Sequence, residues 1–123
     1  MEALEELLKR NPRDAHAWNT RGATLMNWGV QRVRNGQDPT ELYRAAEEDL
    51  GKAIAIHAND FEAHRNRGAL RMNAAEFAAG RGDAEAARRG YGQAAADFET
   101  SLRLNGTQPN LAAWLARCKE GAK

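Results

Sequence analysis

Four side chains and one loop are the groups in this sequence with the chemistry to act: His16, His57, His64, Cys118 and the run Gly80-Arg81-Gly82-Asp83. An imidazole ligates metals or moves protons. A thiol is a nucleophile once ionised. A glycine-rich loop cradles phosphate when a Lys and a Ser or Thr close it. The spacing supports none of these. No His stands at ligand distance from a carboxylate, no nucleophile motif is present, and the loop lacks its Lys-Ser/Thr. A single Cys leaves no intramolecular disulfide and no cysteine-rich metal site. His57 falls at a helix end, where an imidazolium is favoured. His64 occupies a position held by Trp18 earlier in the chain, which makes it a packing residue. The expectation is a protein that is not an enzyme, with no catalytic residue, no metal and no cofactor.

The 123 residues carry a net charge of +1. That size suits one domain. Balanced charge argues against a nucleic-acid or membrane surface. No apolar run approaches a membrane span, and the N-terminus lacks the apolar core of a signal peptide. With one free thiol, the expected location is cytoplasmic. Ala is abundant and large aliphatic residues are sparse, which suits helices packed closely side by side.

The elements that must position any site read as helices throughout. Residues 2–10 carry Leu4, Leu7 and Leu8 on one face and stop at Asn11-Pro12. Asp14 caps a helix over about 14–35, closed by Asn35-Gly36. Asp38-Pro39-Thr40-Glu41 reads as a cap, a first-turn proline and a capping box, opening a helix to about 57. Asn59 or Asp60 starts the next, over about 61–80. Asp83 caps one over about 84–104, in which Gly90 and Gly92 suggest a late start or a kink. Pro109 begins the last, to about Gly121. No strand pattern competes. Short connections make consecutive helices antiparallel neighbours.

A pattern repeats along these helices. Trp18-x-x-Arg21-Gly22 returns as His64-x-x-Arg67-Gly68 and again as Trp114-x-x-Arg117-Cys118. Gly22 and Gly68 stand 46 residues apart, as do Met26-Asn27 and Met72-Asn73, and Gly36 and Gly82. Such self-similarity marks stacked helical units, which usually bind other chains.

The pattern resembles the tetratricopeptide repeat (TPR) family. Its first helix reads Trp-x2-Leu-Gly-x2-Tyr, and its second Ala-x3-Phe before a Pro. Trp18 and Gly22, then Ala46 and Leu50, match in one unit, and Gly68, Ala94 and Phe98 in the next. The family unit is about 34 residues, and these are about a dozen longer, which lengthens both helices at each hairpin tip. Trp28, Val30, Val33 and Leu42 are expected to pack the first extension, and Phe77 the second. The resemblance implies an all-α, right-handed α-solenoid of antiparallel helix pairs with about six helices. It is framed as a half-unit over 1–12, full repeats over 13–58 and 59–106, and a terminal helix over 107–123.

The resemblance also implies a scaffold that binds a protein or peptide on a concave face of first helices. Here that stripe is His16, Asn19, Ala23, Met26 and Asn27, continued by Glu62, Arg65, Asn66, Ala69, Met72 and Asn73. Asn bonds an extended backbone, and Met adapts to varied side chains. The family's carboxylate clamp is matched only at Asn66; Asn19, Ala23, Ala112 and Ala116 hold its other positions, so that mode is set aside. Arg21, Arg67 and Arg117 recur where the family has Leu. Each is expected to lay its stem on an interface and reach a carboxylate such as Asp49 or Asp97. An alternative role is assembly, with homo-oligomers formed through the terminal helices and their Leu4, Leu7, Leu8, Leu111, Trp114 and Leu115. No nucleic-acid or membrane partner is expected.

Overall fold

A computed structural model describes all 123 residues. It is all-α. Six helices follow one another: α1 (Glu2–Arg10), α2 (Ala15–Arg34), α3 (Thr40–Ile56), α4 (Phe61–Gly80), α5 (Ala84–Leu104) and α6 (Leu111–Gly121). They divide between two compact units, Met1–Asn59 and Asp60–Lys123. No helix is long and apolar enough to cross a membrane.

Local chemistry sets most of the boundaries. The side chains of Asp14, Asp60 and Asp83 accept from the backbone N–H groups of Ala17, Glu62 and Ala86 at 3.0, 3.0 and 3.1 Å. Each satisfies one donor that the first helical turn leaves over. Both long hairpins turn the same way. Gly36 and Gly82 adopt φ of +72° and +83°. Gln37 N–H then donates to the Arg32 carbonyl at 2.7 Å, and Asp83 N–H to the Ala78 carbonyl at 2.9 Å. A residue with a Cβ would be strained at either glycine.

Two starts differ from expectation. α3 begins at Thr40, after Pro39. Asp38 holds the Thr40 N–H and hydroxyl at 2.8 and 2.5 Å. Glu41 turns to Arg44 instead of closing a capping box. α6 begins at Leu111 instead of Pro109, because Asn110 takes φ of +71°.

In the first unit, contacts between α2 and α3 descend one helix as they ascend the other. Arg21 meets Asp49, Gly22 faces Leu50, Gly29 faces Tyr43 and Arg32 reaches Asp38. The pair is therefore an antiparallel hairpin. α1 packs on α2 and buries Leu8. The second unit repeats the order, with Arg67 on Asp97, Gly68 against Phe98 and Gly90 against Ala75. α6 lies back along α5, closing a core of Met72, Ala94, Ala95, Phe98, Leu111 and Cys118.

Glycines within helices do two different things. A Cβ at Gly29 would come within 2.5 Å of the Tyr43 ring, and one at Gly90 within 3.0 Å of the Ala75 Cβ. There the missing side chain lets helices approach, and α5 runs unbroken through Gly90 and Gly92. Gly51, inside α3, faces open space. Gly51→Ala is expected to raise unfolding stability by about 0.5–1 kcal/mol, measured by urea denaturation.

Candidate functional site

The expected binding stripe lies on α2 in the first unit and on α4 in the second. On α2, His16 and Asn27 are exposed and Ala23 is half-buried. On α4, Glu62 is exposed, while Arg65, Asn66, Ala69 and Asn73 are half-buried. Three members are corrected. Asn19 and Met26 are buried, and Met72 belongs to the core between α4, α5 and α6, with Ala69 packed at its edge. A methionine there fills space and is not free to adapt to a ligand. Arg65 is engaged too. It lies over the Phe61 ring at 5.7 Å and donates to Gln108 at 3.4 Å.

The recurring arginines are clamps between helices. Arg21 donates through Nε and Nη2 to the two oxygens of Asp49 at 2.8 and 3.0 Å. Arg67 grips Asp97 in the same two-pronged way at 3.0 and 2.9 Å. Both carboxylates are buried, at 3% and 4% exposure. The hydrogen bond to Asp49 holds the Arg21 guanidinium above its ordinary pKa; burial opposes this, while the charges of Asp49 and Glu5 add to it. Two details lay beyond the repeat pattern. Arg71 adds a third bond to Asp97 at 3.1 Å. Arg117 reaches Glu76 on α4, and both side chains are much more exposed than the other clamps.

A second polar knot closes the end of α5. The buried Ser101 hydroxyl donates to the Phe61 carbonyl at 2.8 Å. Gln108 Nε2 donates to the carbonyls of Ser101 and Asn105 at 3.0 and 2.8 Å. One signal in the sequence marked it: Ser101 falls in helical phase with Ala94 and Phe98, so a hydroxyl there must be buried.

Aromatic residues mark the surface of the first unit. Trp18 donates its indole N–H to the Pro12 carbonyl at 2.8 Å. The Arg21 guanidinium stands 5.0 Å from its ring centre and the Lys52 ammonium 4.4 Å, within cation–π range. Trp28 does not pack the hairpin extension as expected: it is 54% exposed, and Val33 is exposed with it. Trp28 walls a shallow groove of about 450 Å³ with Arg32, Asp38, Thr40, Glu41 and Leu42. In the second unit, the half-buried Phe77 lies under Arg81 at 5.2 Å.

No family model and no curated protein matches the chain. Its chemistry therefore rests on its own geometry. His16 and His57 are exposed and His64 is buried. No group of three His, Cys, Asp or Glu side chains is placed to hold a metal. Gly80-Arg81-Gly82-Asp83 forms the α4–α5 turn, with Asp83 occupied as a cap.

Cys118 is fully buried, and that burial pushes its thiol up from 9.0 to about 11, with the Arg117 charge opposing and the Glu76 charge adding. A protonated, enclosed thiol is a poor nucleophile. Native Cys118 is expected to react with a thiol-specific disulfide reagent at least about a hundredfold more slowly than in the urea-unfolded chain, because the thiolate fraction and access both fall. The folded state holds this proton more tightly than the unfolded state. Its contribution to stability is complete below pH 9 and is lost as pH rises from 9.0 to about 11. Urea midpoints across that window are expected to fall more steeply for the parent chain than for Cys118→Ala.

Proposed function

We propose that this chain is a TPR-like interaction module, without catalytic activity, that binds an extended peptide or protein segment along the first helices of its hairpins. The proposed setting is cytoplasmic, and the proposed role is that of an adaptor or scaffold. One observation carries the reading. His16, Ala23 and Asn27 on α2, and Glu62, Asn66 and Asn73 on α4, stay solvent-accessible. Another face of each helix is taken up by the arginine clamps and glycine contacts. Amides that keep some solvent access, beside small residues, suit a partner's main chain, which offers donors and acceptors whatever its sequence. The repeated clamps and glycine contacts support the repeat assignment, because stacked repeats keep packing positions and vary surface ones.

Panning against a random dodecapeptide library tests this. Enriched peptides are expected to lose about tenfold or more in affinity when Asn27→Arg and Asn73→Arg are introduced, the equivalent of about 1.4 kcal/mol. Unchanged binding in that variant, together with loss in Trp28→Ala, would move the site to the hairpin-tip groove. No enrichment would remove the peptide-binding reading.

A further inference from the structure

α1 and α6 carry matching vacancies. α6 keeps the first-helix pattern Trp114-x-x-Arg117-Cys118. Its inner face, Leu111, Leu115 and Cys118, packs in the second unit. Trp114 remains 38% exposed, although its ring lies 6.0 Å from Phe98. The counterpart on α2, Trp18, is instead covered by Lys52 of the following helix. α1 has the complementary character. Leu4 stands eight residues before Pro12, as Leu50 does before Ala58 and Phe98 before Gly106. Leu50 and Phe98 are fully buried against the glycine of a first helix. Leu4 is only half-buried and Leu7 is 41% exposed, while Leu8 serves α2.

We propose that α1 of one copy docks against α6 of a second copy, head to tail, so that the chain self-associates. The proposal stands apart from peptide binding and needs none of the residues assigned to it. Charge selects this occupant. Glu2, Glu5 and Glu6 are all exposed on α1, and Glu6 meets only the equally exposed Lys9, at 3.9 Å. Lys119 is exposed on the C-terminal half of α6, flanked by the exposed Arg117 and Lys123, which also meet Glu76 and Glu120 of their own chain. Cys118, at the place of Gly22, is already covered in its own unit, so the docked helix lies on the outer side of α6, where Trp114 is exposed. An antiparallel approach sets the acidic start of α1 against the basic end of α6. A docked α1 covers Leu7 and Trp114 together and brings opposite charges into contact. The two surfaces differ, so each copy offers one of each, and association continues beyond a dimer unless it closes into a ring.

Sedimentation equilibrium over a concentration series tests this on the 123-residue chain. The weight-average mass is expected to rise above 13.6 kDa with concentration and to fall back as salt is added. Glu2→Lys/Glu6→Lys and Lys119→Glu/Lys123→Glu change exposed positions only, and circular dichroism checks that both variants fold. Each alone is expected to stay monomeric. Their equimolar mixture is expected to associate again, alternating the two variants and growing beyond a heterodimer, since the native and the reversed junction both pair opposite charges. A mass of 13.6 kDa at every soluble concentration overturns the proposal. So does association that persists unchanged in both variants, or a mixture that stays monomeric.

Discussion

Gly68→Ala is expected to destabilise the second unit by about 2 kcal/mol, although Ala is the better helix former by about 1 kcal/mol. The new Cβ would stand 2.7 Å from both Cδ1 and Cε1 of Phe98 and 3.2 Å from the Asp97 Cβ. Neither neighbour can retreat. Phe98 is fully buried in the core that α6 closes, and Asp97 is held by Arg67 and Arg71. The helices must therefore move apart, which opens contacts along α4 and α5. Phe98→Ala alone is expected to cost about 3–5 kcal/mol through lost burial and the cavity left behind. In that background the added methyl has space, so the cost of Gly68→Ala is expected to vanish or reverse. Urea denaturation of the four proteins measures the coupling. Additive costs would mean that the glycine is not there for Phe98.

The same contact shows what was legible beforehand. Gly22 and Gly68 recur in phase with Leu50 and Phe98, so repetition marked them as close approaches. Gly29 and Gly90 do not recur, since their counterparts at the repeat offsets are Ala75 and Leu42. A lone helical glycine reads as a flaw until its facing residue is known, here Tyr43 for Gly29 and Ala75 for Gly90. Asp14 and Asp83 were readable as caps, and Asp60 as one of two candidates with Asn59, because capping is settled within three residues. Met72 and Trp28 were misread for the opposite reason. Helical phase fixes the direction of a side chain, and a distant segment decides whether anything stands there. α6 covers Met72, whereas Trp28 is left lining the open groove at the hairpin tip.

The three recurring arginines are expected to differ sharply in worth, although the repeat presents them alike. Arg21→Leu strips Asp49 of both Arg21 guanidinium bonds and leaves a carboxylate buried at 3% exposure. Removing one partner of such a buried pair costs about 3–5 kcal/mol, because the remaining charge has lost its water as well as its counter-ion. Arg67→Leu is expected to cost less, since Arg71 still donates to Asp97. Arg117→Leu is expected to fall within about 0–1 kcal/mol, the range of solvent-exposed pairs, because both Arg117 and Glu76 are open to water. The double change Arg21→Leu/Asp49→Leu removes both charges together. It is expected to recover most of the loss, as hydrophobic replacements of buried pairs often do. Thermal and urea unfolding of this series order the variants. Effects within about 0–1 kcal/mol at all three arginines would reduce the clamps to ordinary surface pairs, and a triple Leu variant as stable as the parent would remove their structural role. Recovery in the double variant, with loss in each single, would locate the cost in the orphaned charge. The clamp then acts chiefly to fix register: Arg21 and Arg67 each accept one alignment of the facing helix, the one that also seats Leu50 on Gly22 and Phe98 on Gly68.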